Sequence, residues 1–379
     1  MKLLITGADG FIGKNLSLRL TELGHADVVG TTLTTQPHDV QNALATADFV
    51  FHLAGVNRPQ DPAEFATGNA GLSQSVCNAL AASGRRVPVV LTSSSQAALD
   101  NAYGRSKQEA ELAVRGYGAA TGSPVHIFRL PNVFGKWCQP NYNSAVATFC
   151  HNTARGLPIQ VNDPAAPVTL VYVDDVVNRF VQLLDGADAA VGPDGFDSVT
   201  PQYTTTVGEL ARLVQSFKDS RTTLMTERVG TGLVRALYST YMSYLPVASF
   251  AYTIPQHGDP RGVFAEMLKT PDCGQFSYFT AHPGITRGGH YHHSKTEKFL
   301  VIKGQARFRF RHVQTGETHE LQTSGDRATV VETVPGWSHD ITNIGTDEMI
   351  VMLWANEVFD RENRIRWLVL WVKLPDFRV

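Results

Sequence analysis

A chain of 379 residues, 43% hydrophobic and 18% charged, has the composition of a soluble globular protein long enough for about two domains. Its formal net charge of −2 provides no field to attract a polyanion, which argues against a nucleic-acid partner, and no apolar run is long enough to cross a bilayer. The opening Met1-Lys2-Leu3-Leu4-Ile5-Thr6-Gly7 is too short an apolar stretch for a signal peptide, and Cys77, Cys138, Cys150 and Cys273 are scattered. Both features fit a cytoplasmic chain with reduced thiols.

In chain order, Lys2 to Thr6 is expected as a buried strand, Phe11 to Leu23 as a helix and Asp27 to Thr31 as a second strand. Asp48 to Leu53 and Val87 to Thr92 are further apolar strands, with helices over Ala70 to Ala82 and Tyr103 to Ala120. Val125 to Arg129 and Thr169 to Val173 extend the pattern. Strands alternating with helices predict an α/β Rossmann-type, doubly wound parallel sheet. Gly186 to Ser243 gives weak signals and is read as a small lobe on the first domain. From about Phe250 short strands dominate: Gln275 to Phe279, Glu297 to Ile302, Ala306 to Arg311, Ala328 to Val331 and Met349 to Trp354. This texture predicts an antiparallel barrel or jelly roll, with the join near Leu245–Pro255. The expected domains are residues 1–250 and 251–379.

Gly7-Ala8-Asp9-Gly10-Phe11-Ile12-Gly13 follows the first strand and opens the first helix. There glycines allow close backbone approach to a pyrophosphate, which the free N–H groups of the helix start can bind. The second strand ends Val29-Gly30-Thr31-Thr32-Leu33-Thr34, with no acid to bond a ribose 2′-hydroxyl. That favours NADPH over NADH, with Lys14 as the candidate partner of a 2′-phosphate and a solvated helix residue as the alternative. Tyr103 and Lys107 stand one helical turn apart on one face. The ammonium is expected to lower the phenol's pKa, and Tyr103 to give a proton to a carbonyl oxygen that receives hydride. Ser93-Ser94-Ser95 ends the preceding strand, where a hydroxyl could hold the same oxygen.

These residues resemble the extended short-chain dehydrogenase/reductase family, which acts largely on nucleotide sugars. His52-Leu53-Ala54-Gly55 is similar to its strand-end motif beside the cofactor, Arg129-Leu130-Pro131-Asn132-Val133-Phe134-Gly135 to its substrate loop, and Val171-Tyr172-Val173-Asp174-Asp175-Val176 to a later strand-to-helix motif. The resemblance covers about residues 1–250. It implies Ser95, Tyr103 and Lys107 as the catalytic trio, with Ser94 as the alternative serine. It further implies cofactor contacts at Gly7, Gly10, Phe11, Ile12, Gly13, Lys14, Leu53, Ala54, Tyr103 and Lys107, and a substrate contact at Asn132.

His290 and His292 lie two apart on a strand and so share a face, with Glu297 shortly after and His339 downstream. Three imidazoles and a carboxylate can hold a divalent metal with an open position. The spacing matches both motifs of the cupin family, which implies these four residues as ligands and leaves His293, on the other face, out of the set. Asp259-Pro260-Arg261-Gly262-Val263-Phe264 and Arg287-Gly288-Gly289-His290 also resemble the cupin epimerases of deoxysugar nucleotides. There the histidine is a base, and an arginine helps bind the nucleotide's phosphates. The expected site therefore has His290 as a ligand, Arg261 and Arg287 as substrate contacts, and zinc as the metal.

A reductase followed by a cupin resembles the bifunctional capsular polysaccharide synthesis enzymes on the route to UDP-N-acetyl-L-fucosamine. The resemblance implies that the cupin epimerises C3 of a UDP-2-acetamido-2,6-dideoxy-4-hexulose and that the reductase then reduces C4 with NADPH, giving the L-talose-type amino sugar for capsule or O-antigen. A homodimer or higher homo-oligomer is a further family expectation. The alternatives are a reductase whose cupin serves only structure or dimerisation, a non-enzymatic sugar-nucleotide or redox sensor, and a cupin dioxygenase holding iron. No residue presents itself as the epimerase base.

Overall fold

A computed structural model describes residues 1–292, 295–313 and 315–358. Contacts divide the chain into two units, Met1–Val214 with Ala236–Pro246, and Gln215–Arg235 with the chain from Val247 onward. His293 lies outside the described residues.

The first unit begins β1 (Leu3–Thr6), α1 (Phe11–Glu22), β2 (Val28–Thr31), α2 (Pro37–Thr46) and β3 (Phe49–His52). A π-helical turn over Ala66–Gly71 runs into α3 (Leu72–Ala82), followed by β4 (Val89–Ser94), a short 3-10 turn over Ser95–Ala98 and α4 (Ala102–Thr121). Then come β5 (Val125–Leu130), β6 (Asn132–Phe134), α5 (Ala145–Ala154), β7 (Pro167–Tyr172), α6 (Val173–Leu184) and β8 (Tyr203–Thr206). Strands β1 to β5 form a parallel Rossmann-like sheet in the order β2-β1-β3-β4-β5. β1 and β3 are buried throughout, as continuous apolar runs covered on both faces should be. Helix α1 packs beside α6, and α3 packs against both α2 and α4. One apolar cluster joins Leu4, Val50, Val76, Leu80, Val89, Leu91, Val114 and Ile127.

The strand expected over Thr169–Val173 forms and runs into α6, but outside the first sheet. β7 pairs with β6 and β8 in a separate three-stranded sheet. Pro131 separates β5 from β6 and has no N–H to continue a ladder, so the chain leaves the first sheet there.

Helices α7 (Val207–Thr223) and α8 (Gly232–Ser243) are each shared between the units. Gln215–Arg235, read from sequence as part of a lobe on the first domain, belongs to the second unit. Lys269 N donates to Leu224 O and Thr226 N donates to Lys269 O, both at 2.8 Å, and Met225 bridges Lys269 in parallel.

The second unit continues β9 (His257–Asp259), β10 (Gly262–Thr270), β11 (Gly274–Ala281), β12 (Thr286–His290), β13 (Glu297–Lys303), β14 (Gln305–His312), β15 (Thr318–Ser324), β16 (Val330–Glu332), β17 (Trp337–Asn343) and β18 (Met349–Ala355). They form two antiparallel sheets, β16-β13-β18-β11-β10-β9 and β12-β17-β14-β15, rather than one closed barrel. Phe279, Phe299 and Val351 from the first and Phe308 and Ile341 from the second share one core. No helix among the described residues is long and apolar enough to cross a membrane.

Candidate active sites

In the first unit the glycine loop is packed too tightly for side chains. Gly7 sits at φ +70°, and a Cβ there would lie 2.8 Å from the Ala54 Cα, while a Cβ on Gly13 would lie 2.2 Å from Gly7 O. Gly10 N donates to Gly7 O at 3.0 Å, closing the turn. Gly10 caps α1 without any side-chain bond, so the first-turn N–H groups beside Phe11 and Ile12 are left for a ligand. Leu53 N and Ala54 N donate to Thr6 O and Thr6 Oγ1, both at 3.2 Å, holding the β3 end against this loop. These features fit the pyrophosphate of a dinucleotide. After β2 the loop carries the hydroxyls of Thr32, Thr34 and Thr35, which bond one another, and no acid; Lys14 is exposed.

His52 lies buried between Thr6 Oγ1 (2.7 Å) and Ser73 Oγ (2.9 Å). Burial, reinforced by the Lys107 charge, pushes its pKa down to about 4, so its ring is neutral. Helix α4 starts where Asn101 Oδ1 accepts from Gly104 N at 2.8 Å, which sets Tyr103 in the first turn and Lys107 in the second. The Lys107 ammonium is buried, lies 6.0 Å from the Tyr103 ring centroid and donates to Thr92 O at 3.3 Å. Burial drives its pKa down to about 8, and the charge of Glu111 offsets part of that. The expected fall in the Tyr103 pKa is not seen. Burial raises it, and a bond to Ser94 opposes the rise. Ser94, the last residue of β4, is the serine that meets Tyr103, whereas Ser95 opens the 3-10 turn and is exposed. Asn132 is exposed on β6, and its amide donates to Thr169 O at 3.2 Å.

In the second unit His290 ends β12 directly across from His339 on β17, Glu297 opens β13, and His292 lies two residues past the end of β12. One ligand atom from each of the four comes within 4.8 Å of the others. Glu297 Oε2 is 3.3 Å from His339 Nε2 and 3.5 Å from His292 Nε2, and that His292 nitrogen is buried without a hydrogen bond. Burial alone would raise the Glu297 pKa, but the adjoining His292 and His339 rings and the Lys295 charge outweigh it and hold the carboxyl well below its usual range. Burial, then the neighbouring His339 and His292, pushes His290 down to about 4. Three imidazoles around one carboxylate, with a buried His292 nitrogen left without a hydrogen bond, fit a divalent cation. Arg261 is bound by Asp259 through Nε and Nη2, the shorter contact being 2.5 Å. Arg287 lies 5.2 Å over the Phe279 ring, and its Nε and Nη2 are buried without a hydrogen bond.

Residues 3–197 match the model of the NAD dependent epimerase/dehydratase family, and residues 257–365 match the polysaccharide biosynthesis C-terminal domain. The UDP-2-acetamido-2,6-beta-L-arabino-hexul-4-ose reductase of Pseudomonas aeruginosa is 58% identical over 364 residues, covering 96% of this chain and 97% of that protein. The capsular polysaccharide assembling protein CapF of Staphylococcus aureus superposes with a TM-score of 0.88 at 42% identity, covering 96% of this chain and 98% of that one. The chain belongs to the CapF family. A second CapF structure, with the inhibitor 3-isopropenyl-tropolone, gives a TM-score of 0.83 at 38% identity over 96% of this chain and 97% of that one. Membership in this family, with its epimerase/dehydratase half, implies a nicotinamide cofactor.

This CapF-family chain also brings together residues that the motifs did not indicate. Tyr103 Oη donates to Asn57 Oδ1 at 3.1 Å. Asn69, in the π-helical turn, accepts from Val56 N (2.8 Å) and donates to Val56 O and Ser106 Oγ (both 3.0 Å). Ser106 Oγ in turn donates to Tyr103 O at 2.8 Å, so the loop bearing Asn57 and the helix bearing Tyr103 are tied together. Glu111 is buried and accepts from Ser93 Oγ at 2.5 Å and from Arg129 Nε and Nη2 at 2.9 and 2.7 Å. An acid four residues after Lys107, and an arginine opening the substrate-loop motif, were the signals available in the sequence.

Proposed function

We propose that this chain is a two-centre sugar-nucleotide enzyme: an NADPH-dependent 4-ketone reductase in the first unit and a metal-assisted C3 epimerase of cupin type in the second. The observation that carries the reading is the meeting of Tyr103, Ser94 and the buried Lys107 within a glycine-loop domain. The substrate class follows from the Pseudomonas aeruginosa relative, whose name is that of a UDP-2-acetamido-hexul-4-ose reductase.

A bound nicotinamide supplies hydride to C4 of the sugar. Tyr103 donates its phenolic proton to the C4 oxygen, so ketone, hydride and proton together give the alcohol. Ser94, taken here in place of Ser95, holds that oxygen by its hydroxyl. The Lys107 ammonium stabilises the phenolate left behind. Gly7, Gly10, Phe11, Ile12, Gly13, Leu53 and Ala54 hold the dinucleotide, Lys14 meets the 2′-phosphate, and Asn132 contacts the sugar nucleotide.

In the second unit His290, His292, Glu297 and His339 hold one zinc ion, which supplies polarisation of a 4-keto oxygen and so acidifies C3–H. Arg287, with bonding capacity unused, and Arg261 bind the nucleotide's phosphates. Tropolones chelate divalent metals through two oxygens, so the inhibitor on CapF supports a metal in this family. A single carbonyl then serves both centres, acidifying C3–H before it is reduced. The enzyme works as a homo-oligomer in the cytoplasm, on the route to UDP-N-acetyl-L-fucosamine.

The test is incubation with UDP-2-acetamido-2,6-dideoxy-4-hexulose in deuterated water. Deuterium is expected at C3 without NADPH, and NADPH oxidation is expected once the cofactor is added. A metal-loaded protein that leaves C3 unlabelled sinks the epimerase and favours a cupin that serves only structure. Labelling without any NADPH oxidation sinks the reductase.

A further inference from the structure

We infer that Glu111 is a positioning residue of the reductase centre: its carboxylate, one helical turn past Lys107, keeps the Lys107 ammonium charged and in place for Tyr103. The inference rests on the reductase reading. Three observations carry it. Lys107 and Glu111 are both buried on the same face of α4, four residues apart. Glu111 cannot turn away, because Ser93 holds Oε1 while Arg129 grips both carboxylate oxygens. Arg129 is itself fixed, its guanidinium 3.9 Å from the Phe196 ring centroid.

The surroundings leave Glu111 without a competitor. From its own helix Lys107 faces Tyr103 and Glu111; from β3 it faces the neutral His52. Strand β4 offers only the Thr92 carbonyl, at 3.3 Å. Asn69 and the ammonium both come within about 3 Å of where a Cβ on Gly55 would stand, at 2.8 and 3.1 Å. Arg129 on β5 lies beyond Glu111 and opposes it with positive charge. Among these groups Glu111 alone is anionic. A buried ion pair contributes little net stability over an apolar replacement, so packing alone does not explain a carboxylate here.

The test compares Glu111→Gln with Arg129→Gln in the full chain. Glutamine keeps the shape of Glu111 and one oxygen for Ser93 Oγ and Arg129 Nε; it removes the charge and the acceptor that faces Arg129 Nη2. Lysine labelled with 13C at Cε, with the Lys107 resonance assigned by its loss in Lys107→Arg, reports the ammonium directly in cofactor-free protein. In Glu111→Gln the Lys107 midpoint is expected to fall by roughly one pH unit or more, and the alkaline limb of kcat for ketone reduction is expected to move the same way. Arg129→Gln is expected to move the midpoint upward. An unchanged midpoint in Glu111→Gln, or shifts of the same sign in both variants, overturns the inference. Wild-type protein that does not oxidise NADPH with the 4-keto sugar nucleotide fails the reductase reading instead, and the midpoints still decide whether Glu111 sets the charge of Lys107.

Discussion

Gly13→Ala is the sharpest probe of the cofactor cradle. Its new Cβ would lie 2.2 Å from Gly7 O and 2.8 Å from the Ala8 Cα, both backbone atoms that no rotamer change can move. Relief needs the loop to retreat by about an ångström, in an interior packed as densely as a crystal. Gly7 O also accepts from Gly10 N, so the movement loosens the turn that aims the first-turn N–H groups. Overpacking of this kind costs about 1–3 kcal/mol. For a unit of this size, at about 2–4 °C per kcal/mol, that corresponds to a fall in Tm of roughly 2–12 °C. Passed on to the cofactor contacts, each 1.4 kcal/mol weakens NADPH binding about tenfold. Gly116→Ala is the control: Gly116 is exposed in α4, and its Cβ would meet nothing within 4 Å. That variant is expected to bind NADPH normally and to gain up to about 1 kcal/mol in helix propensity. The assays are thermal unfolding followed by circular dichroism and titration of NADPH fluorescence. If Gly13→Ala matches Gly116→Ala in both, the close-approach argument is wrong.

Tyr103→Phe is expected to slow ketone reduction by about 10²–10⁴ while NADPH still binds, measured by single-turnover oxidation beside a binding titration; a rate within tenfold of wild type removes Tyr103 as donor. Ser94→Ala should cost more reductase activity than Ser95→Ala, since Ser94 bonds Tyr103 and Ser95 is exposed, and the reverse order of kcat restores Ser95. His339→Ala is expected to lose the bound metal by elemental analysis and the C3 exchange with it, and retention of a full equivalent contradicts the ligand set. His52 is held near pH 4 against 6.5 in its free state, so the unfolded chain takes up a proton between these values and the folded chain does not. Its contribution is therefore complete above about pH 6.5 and lost as pH falls toward 4, by up to about 3 kcal/mol. Urea unfolding across that window should show a shallower pH slope in His52→Asn, and parallel slopes contradict the assignment.

Local spacing made much of both candidate sites legible. The glycine loop, Tyr103 with Lys107, and His290 with His292 and Glu297 are patterns within one or two elements, and their chemistry depends on that spacing. What escaped depends on where strands end and on which distant side chains meet. Three consecutive serines could not reveal that β4 stops at Ser94, which turns Ser94 toward Tyr103 and sends Ser95 into the next turn. Asn57 and Asn69 reach α4 from other elements, and nothing in their own neighbourhoods marks them. His339 was found because the cupin spacing marks it, and the pairing of β12 with β17 sets it opposite His290. In the fold, strands of strong alternation such as Glu297 to Ile302 appear almost as expected, whereas β9 and the start of β10 were hidden in a stretch read for its Asp259 and Arg261 motif.

The segment around Leu224–Thr226 has a practical consequence for the second unit. Backbone bonds join it to Lys269 near the end of β10, whose other end is covered by β9. A fragment cut at residue 251 would lack that cover and leave open N–H and C=O groups on a strand edge, a template for pairing with another molecule. Such a fragment should self-associate. One beginning at residue 215 carries its own protection and should remain dispersed, so autonomy of the β half depends on about twenty residues borrowed from the helical stretch before it.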